Sequence, residues 1–373
     1  MSKVIVKECT KYNVDTIEEK LNDSIKLLGG INSFVKAGDK VLLKVNLLTI
    51  KKPEQAATTH PAFVEALARV FINHGCDVYL ADSPGGPFIH TMLKRVYKAT
   101  GMEAIASRLD VTLNHDTSSK HIFVNDSVLY KSMKVCNYLD DMDHVISVSK
   151  MKTHAFMTLT GAVKNLFGIV PGLAKADLHM QYPKILDFSN MIIDVCEYIK
   201  PTLSFMDGIV AMEGEGPGSG DPKVMNSILV SDNPYHLDYV SAKLMKLVPM
   251  EVPTILNSVK RGMISKDFSD IEIIGEVEPF IPAEFVHAKT NSIDSGHASL
   301  LNKLLKRYPN IITKECIGCK LCAEVCPANT IDIINKKAVI NYKDCISCFC
   351  CHEFCPAKAI NVKRKLLRNI NIR

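Results

Sequence analysis

The stretch that decides the C-terminal fold is Cys316-Ile-Gly-Cys319-Lys-Leu-Cys322-Ala-Glu-Val-Cys326-Pro327, which returns 29 residues later (345 − 316) as Cys345-Ile-Ser-Cys348-Phe-Cys-Cys351-His-Glu-Phe-Cys355-Pro356. Positions other than cysteine repeat at the same offset, for example Glu324 with Glu353 and Ile331 with Ile360. A repeat of this kind indicates an internal duplication, in which each half forms one turn-helix-hairpin unit.

The cysteine spacing predicts two [4Fe-4S] clusters. In the pattern Cys-x2-Cys-x2-Cys, three thiolates reach three corners of one cluster, while the fourth cysteine is carried away on a short helix and ligates the other cluster. We therefore assign one cluster to Cys316, Cys319, Cys322 and Cys355, and the second to Cys345, Cys348, Cys351 and Cys326. Zinc is the alternative, but zinc sites usually pair two Cys-x2-Cys knuckles across a longer gap, whereas both halves here carry four cysteines and end in Cys-Pro.

From residue 311 to residue 362 the doubled motif resembles bacterial two-cluster ferredoxins. The resemblance implies a small α+β fold that passes one electron at each cluster. Cys350 departs from the pattern, because Leu321 stands at the matching position of the first half. We interpret Cys350 as a packing residue, with a role as an alternate ligand left open.

The composition is that of a soluble globular protein with two or three domains: the 373 residues are 47% hydrophobic and carry a formal net charge of +5. The lysines are spread evenly, which does not indicate nucleic-acid binding. Neither a signal-like N-terminus nor an apolar run of about 18 residues is visible, so we expect a cytoplasmic protein without a membrane span. Nine of the 13 cysteines lie between Cys316 and Cys355, which favours metal ligation in a reducing compartment over a disulfide framework. Small buried roles are predicted for the others, Cys9, Cys76, Cys136 and Cys196.

Ahead of the cysteines, short β-like runs alternate with helical patterns, which predicts an α/β domain with a mostly parallel, doubly wound sheet covered on both faces. The predicted strands are Val4–Val6, Val41–Val45, Val78–Leu80, Val145–Val148, Leu203–Met206, Ile228–Val230 and Ile271–Ile274. Asp15 with Glu18 predicts a capping box for the first helix. Pro61 and Pro234 open two later helices, and a hairpin around Asn125-Asp126 is inserted.

These patterns divide the chain into four parts. Residues 1–290 form the α/β domain, residues 291–310 form a helical linker with a helix from Ala298 to Arg307, residues 311–362 form the ferredoxin-like domain, and residues 363–373 form a basic tail. We interpret the tail as a solvated or surface-packed end. The alternative is a docking patch for an acidic electron carrier.

Polar or glycine-rich loops follow several predicted strands, at the place where doubly wound sheets bind ligands. The residues that we single out there as substrate-binding are Lys44, Asn46, Asp82, Ser83, Gly85, Gly86, Lys150, Asn165, Lys175, Asp207 and Glu213, and those that we single out as catalytic are Lys152, His154, Lys164 and His179. Ammonium groups suit a carboxylate or phosphate, and a histidine with a near-neutral pKa can exchange a proton. Asp82 and Asp207 would orient groups or bind a metal. An ordinary solvated loop is the alternative interpretation of each segment.

Several of these loops resemble the DUF362 family. The matching runs are Asp82-Ser-Pro-Gly-Gly86, Lys152-Thr-His154, Lys164-Asn165-Leu-Phe-Gly168 with Lys175 and His179, and Asp207-Gly208 with Glu213-Gly-x-Gly216-Pro217. The resemblance covers roughly residues 38–245, and the Cys-Phe-Cys-Cys run is similar to the ferredoxin module that members often carry. It implies the architecture rather than a reaction, since the family has no settled activity.

Two functional hypotheses follow. The first is an oxidoreductase that exchanges electrons between a soluble carrier or partner redox enzyme and a small anionic substrate in the α/β domain. The second is a non-catalytic electron-transfer subunit that docks a partner enzyme. It is favoured by the lack of a dinucleotide fingerprint, because Gly214-x-Gly216-x-x-Ser219 lacks the third glycine. A third possibility, cluster delivery, is disfavoured by eight ligands in a closed fold.

Overall fold

In the computed structural model, which describes residues 2–290 and 306–364, the N-terminal domain is built on one large sheet. Its strands are β1 (Ser2–Glu8), β2 (Lys40–Val45), β3 (Asp77–Ala81), β4 (Val111–Leu113), β5 (Ser119–Phe123), β6 (Ser132–Cys136), β7 (His144–His154), β8 (Thr158–Thr160), β9 (Leu203–Glu213), β10 (Asp221–Ser231) and β11 (Ile271–Ile274). The sheet order is β11-β1-β10-β9-β7-β2-β3-β4, with β8 paired to β7. Strands β5 and β6 form a separate hairpin.

Parallel pairing joins β4, β3, β2, β7 and β9, whereas β10 is antiparallel to β9 and β1. Side chains alternate between two cores, so that Val4 and Val6 pack on one face of the sheet and Ile5 packs on the other. The sheet is therefore covered on both sides. This confirms the predicted α/β class with a mostly parallel sheet.

The helices of the domain are α1 (Val14–Leu27), α2 (Pro61–Asn73), α3 (His90–Thr100), α4 (Met102–Ala106), α5 (Ala162–Asn165), α6 (Ala174–Gln181), α7 (Ile185–Ile199), α8 (Pro234–Leu244) and α9 (Pro253–Lys260). Helices α1 and α2 pack on the Ile5 face, and α7, α8 and α9 pack on the opposite face. Among the helices within residues 2–290 and 306–364, none combines the length and apolarity needed to cross a membrane.

The start of α1 differs from the sequence expectation. The predicted capping box at Asp15 and Glu18 is wrong, because the helix begins at Val14 and the Asn13 side chain accepts a hydrogen bond from the Thr16 N–H at 2.9 Å. Asn13, the residue directly before the helix, is therefore the N-cap and satisfies a free N–H of the first turn.

The inserted β5–β6 hairpin is present as predicted, and one buried carboxylate ties its loop to the domain. Asp194 on α7 accepts hydrogen bonds from the backbone N–H groups of Val128, Leu129 and Tyr130 at 2.7–3.0 Å. It also pairs with Arg261 at 2.8 Å. A fully paired buried charge of this kind holds a loop in a fixed position.

The C-terminal domain contains β12 (Arg307–Ile311), β13 (Ile331–Ile334), β14 (Lys337–Ile340) and β15 (Ile360–Arg364), with two short helices, α10 (Leu321–Glu324) and α11 (Cys350–Glu353). Strand β12 pairs with β15, and β13 pairs with β14. The domain therefore extends from Arg307 to Arg364, slightly beyond the expected 311–362. Pairing with β15 makes residues 307–310 extended, where a helical linker was expected. Most of that helix, Ala298 to Arg307, and most of the basic tail lie outside the described residues.

The two domains pack against each other through the second half of the duplication. Phe349 belongs to the same core as α7 and α8. Lys358 donates a hydrogen bond to the carbonyl of Gly220 at 3.2 Å. The ring of Phe354 lies so close to Gly85 that a Cβ at that position would overlap it. Glycine is therefore needed in this loop for the domains to dock.

We expect Gly85→Ala to destabilise the docked structure by about 1–3 kcal/mol, as for an overpacked interior. The measurement is the thermal unfolding midpoint of Gly85→Ala, Phe354→Ala and the double variant. Because Phe354→Ala removes the overlapping ring, Gly85→Ala should cost little in that background. If Gly85→Ala lowered the unfolding midpoint equally in the unaltered protein and in the Phe354→Ala variant, the contact between Gly85 and Phe354 would be contradicted.

Candidate functional site

The order of the sheet reverses between β2 and β7. From β2 the chain continues to β3 and β4 on one side, and it then crosses to β7 on the other side. Ligands of doubly wound sheets bind at such a reversal. A cavity opens here between the two domains. The predicted residues that line it are Asn46, Asp82, Ser83, Gly85, Gly86, Lys152, His154, Lys164, Asn165, Lys175 and His179.

Two elements contribute a lysine and a histidine each to the cavity. Lys152 and His154 lie two residues apart at the end of β7, so their side chains share one face of the strand. Lys175 and His179 lie four residues apart on α6, so they share one face of the helix. Local periodicity therefore brings four of the predicted residues to one place.

A network of hydrogen bonds fixes the cavity wall made by α5. The Asp238 carboxylate accepts hydrogen bonds from the first two backbone N–H groups of α5, at 2.6 and 3.2 Å. Asn165, the last residue of α5, accepts from the Asn46 amide at 3.2 Å. Asn46 in turn accepts from the Lys152 ammonium at 2.8 Å. The ends of β2, β7 and α5 are thereby locked together.

Lys44 does not reach the cavity, although the sequence analysis placed it in the substrate site. Its ammonium lies 2.8 Å from Asp82 Oδ1 and donates to the carbonyl of Asn165 at 2.9 Å, and the residue is fully buried. The other Asp82 oxygen accepts from the Leu47 N–H at 2.8 Å. The pair is sealed by Gly168, where any Cβ would overlap the Asp82 carboxylate. Lys44 therefore neutralises Asp82 and is not available to an anion.

Lys150, Asp207 and Glu213 also lie away from the cavity. The Lys150 ammonium donates to Asp207 at 2.7 Å and to the Tyr12 hydroxyl at 2.9 Å. Glu213 accepts a backbone hydrogen bond from the segment that follows β11. The β7–β9 register is irregular between Lys150 and Lys152. Irregularities of this kind re-aim side chains, which explains why Lys150 and Lys152 have different surroundings.

Three lysines give the cavity its positive charge. Lys152 donates to Asn46 and to the carbonyl of Ala57, at 2.8 and 2.7 Å, and burial lowers the pKa of Lys152 to about 7. Lys175 donates to the carbonyl of Ser83 at 2.6 Å, and burial lowers the pKa of Lys175 to about 8. Burial lowers the pKa of Lys164 as well. Among the described residues Lys164 has no hydrogen-bond acceptor, which leaves its ammonium available to a ligand.

The two histidines are neutral, in contrast to the expected titration near neutrality. His154 Nδ1 accepts the backbone N–H groups of Phe156 and Met157, both at 3.1 Å, so its proton lies on Nε2. Within the described part of the chain, the buried Nε2 has no partner. Burial, aided by Lys164, lowers the pKa of His154 well below its usual value and that of His179 to about 3. His154 is therefore a hydrogen-bond donor rather than a proton carrier.

The sequence analysis missed the residues that the C-terminal domain contributes to the cavity, which are Val325, Cys350, Glu353 and Phe354. Glu353 repeats Glu324, yet Glu324 is exposed while Glu353 faces the three lysines. Burial raises the pKa of Glu353, and the lysines oppose that rise. The unmatched Cys350 was the one signal in the sequence that marked this half of the duplication as different.

The eight predicted cluster ligands gather around two smaller cavities. One is lined by Cys316, Cys319, Cys322 and Cys355. The other is lined by Cys326, Cys345, Cys348 and Cys351, together with Cys350. Each cavity thus takes three cysteines from one motif and the fourth from the other motif. The ligand assignment itself stays a prediction.

The surroundings of these thiols fit an anionic sulfur cluster. Cys326 Sγ accepts a hydrogen bond from the Thr330 N–H at 3.4 Å, and Cys355 Sγ accepts one from the Ala359 N–H at 3.2 Å. The two bonds are equivalent in the two halves, since both span four residues. Cys316 Sγ accepts from the Ala338 N–H at 3.4 Å. Such donors stabilise thiolates and help to set the potential of a bound cluster.

The fold and these sites define an α/β protein with an attached iron–sulfur electron-transfer domain. Residues 41–243 match the family described as a domain of unknown function, DUF362, and residues 308–356 match a 4Fe-4S dicluster domain. The chain belongs to the DUF362 family, as its loops predicted.

Two known proteins are similar to this chain. The thylakoid-associated protein sll1697 of Synechocystis sp. is 33% identical over 253 residues, which is 68% of this chain and 77% of the relative. The lactate racemase apoprotein from Thermoanaerobacterium thermosaccharolyticum is similar in structure with a TM-score of 0.42 and 12% identity. That match covers 65% of this chain and 57% of the racemase.

We expect the cavity to bind sulfate, a dianion across the whole pH range used, with an affinity that falls as the pH rises. Lys152 and Lys175 lose their protons near pKa values of about 7 and 8, and each loss removes a charge that attracts the anion. Calorimetry at constant ionic strength should show a fall of roughly tenfold or more between about pH 6 and pH 9.

The variant Lys152→Gln should bind sulfate more weakly below pH 7 and should lose the part of the pH dependence centred near 7. The matched control is Lys184→Gln, a change at an exposed lysine ahead of α7. A flat profile in the unaltered protein would contradict the assignment of these lysines to an anion site.

Proposed function

We propose that this protein is an iron–sulfur oxidoreductase that exchanges electrons with a small organic anion bound in the lysine-rich cavity between the two domains. The single observation that carries the proposal is the position of Cys350. Its side chain lines both the lysine-rich cavity and the cavity of the second cysteine set. One residue therefore separates the predicted redox site from the candidate substrate site.

The lining residues indicate the chemistry of the ligand. When they are protonated, Lys152, Lys164 and Lys175 supply three positive charges against the one negative charge of an ionised Glu353, because Asp82 is paired with Lys44. This balance favours an anion with about two negative charges. The His154 Nε2–H adds a neutral donor for a carbonyl or carboxylate oxygen.

The remaining wall is apolar. Leu48, Phe167, Leu173 and Phe354 line it, and Ala176 completes it. A ligand that carries an anionic head and a small apolar body would therefore match the cavity as a whole. Among the candidates with that character, carboxylates and phosphate monoesters have the required charge.

The chain's own groups supply the positioning and the proton chemistry. Lys164 and His154 would hold the anion, since His154 Nε2 has no hydrogen-bond partner among the described residues and the Lys164 ammonium lines the cavity over the Phe167 ring. Lys152 and Lys175, with pKa values of about 7 and 8, would hold or release a proton near neutral pH. Two [4Fe-4S] clusters, held by the two cysteine sets, would supply electrons one at a time.

The second candidate function is a non-catalytic electron-transfer subunit. It is favoured by the exposure of Cys319 and of Ile317, which is 66% exposed, on the surface of the first cysteine set. A partner protein has direct access to this surface. We propose a cytoplasmic location; the name of the cyanobacterial relative, a thylakoid-associated protein, makes a partner at a membrane surface the alternative.

The test of the proposed enzyme uses the full chain, purified and loaded with clusters anaerobically. The chemically reduced protein is mixed with a panel of small carboxylates and phosphate monoesters, and cluster reoxidation is followed by absorbance. We expect a subset of these anions to reoxidise the protein, and Lys164→Gln to slow the reaction at least about tenfold through loss of a charge-assisted contact. Lys184→Gln is the control and should react normally. Binding of anions without any reoxidation or reduction would favour the subunit function.

Cross-sharing of the fourth ligands makes a second prediction. Cys355→Ala should abolish the same electron paramagnetic resonance signal as Cys316→Ala, and Cys326→Ala the same signal as Cys345→Ala, each with about half of the iron lost. The control is Cys196→Ala, a buried cysteine on α7, which should keep both signals. If Cys355→Ala and Cys345→Ala abolished the same signal, each motif would supply all four ligands of its own cluster, and the assignment would be wrong.

A further inference from the structure

Cys350 occupies a position that the other half of the duplication does not use. It lines the second cysteine cavity, whereas Leu321, at the matching position, is not part of the lining of the first. The thiol is 4% exposed and belongs at the same time to the wall of the lysine-rich cavity. That wall also includes His154, whose buried Nε2 has no hydrogen-bond partner among the described residues.

The position of Cys350 places the two cavities side by side. Cys350 and Cys348 both line the second cysteine cavity, so the Cys350 thiol is placed to donate to a sulfur of that set. On the other side, Cys350 and Lys164 both line the lysine-rich cavity. A charge bound in one cavity is therefore separated from the other cavity by a single residue, and it changes the electrostatic potential there.

We propose that Cys350 is a positioning residue that couples anion binding in the interdomain cavity to the redox potential of the second cluster, the one held by Cys326, Cys345, Cys348 and Cys351. This inference rests on the proposed function, and it adds a reciprocal regulation of the same site. Donation from the Cys350 thiol to a sulfur of this set would stabilise the more negative, reduced state of the cluster and so raise its potential. An anion beside Lys164 cancels positive charge near the same sulfur and lowers the potential.

Thermodynamic linkage requires that the anion affinity and the cluster potential affect each other equally. If the anion lowers the potential of the second cluster, reduction of that cluster must weaken the binding of the anion by the same factor. A tenfold difference in affinity corresponds to about 59 mV for a one-electron couple. Among the described residues, none lines both the first cysteine cavity and the lysine-rich cavity, so the potential of the first cluster should be insensitive to the anion.

The experiment is a redox titration of the full, cluster-loaded chain, followed by electron paramagnetic resonance with and without sulfate. We expect sulfate to lower one midpoint, that of the signal lost in Cys345→Ala, and to leave the other unchanged. Cys350→Ala should lower the same midpoint in the absence of sulfate and reduce the sulfate effect. Cys350→Ser, which keeps a donor, should restore both, and Leu321→Ala, the matched change in the first half, should alter neither.

Four outcomes overturn the proposal and are distinguishable. If sulfate binds by calorimetry but moves neither midpoint, the coupling is wrong while the anion site stands. If Cys350→Ala keeps both signals at unchanged midpoints, Cys350 has only a packing role. If Cys350→Ala loses one signal altogether, Cys350 is a cluster ligand instead. Failure of sulfate to bind at all would contradict the proposed anion site, and the coupling with it.

Discussion

Three lysine ammonium groups share one largely buried cavity, and the electrostatic cost of that arrangement shapes the rest of the site. Like charges in a medium of low dielectric lose hydration and repel one another. Lys152, Lys164 and Lys175 accordingly have lowered pKa values. Glu353 offsets part of the cost, and a bound anion would offset the rest. The same physics explains why the histidines are neutral, because protonating one of them would add a further buried positive charge beside the lysines at a high electrostatic free energy.

A rigid scaffold keeps these charges in place. The buried pair of Lys44 and Asp82 joins the end of β2 to the loop after β3, and Asn165 continues the network to α5. Asn46 then connects Asn165 to Lys152. Each member has its partners, which is the condition for a buried polar network to stabilise a fold. Lys44 thus stabilises the cavity wall without lining the cavity. The sequence analysis, which considered only its charge and its place in the sheet, had named it as a substrate-binding residue.

The sequence was a good guide wherever a local pattern determines the outcome. Apolar runs located every long strand of the sheet, and the rule that ligands lie at the carboxyl ends of strands drew attention to Lys152, His154 and Lys175, which line one cavity in the structure. Lys150 was misplaced because the β7–β9 irregularity, which changes its surroundings, leaves no mark in the sequence. Glu353 was missed because it comes from another domain, and only tertiary packing brings it to Lys164.

The duplicated domain meets an asymmetric neighbour, and this explains where its two halves differ. A duplication initially provides two equivalent surfaces, but among the described residues the first half contributes Val325 to the interdomain cavity, whereas the second half packs against the α/β domain through Phe349 and Phe354. The first half presents Ile317 and Cys319 to solvent. Substitutions that adapt a half to a buried, charged interface are therefore confined to the second, where Cys350 replaces the leucine of the first. The departure from the repeat is best understood as the chemical consequence of docking, because that one position faces both the sulfur site and the cationic cavity.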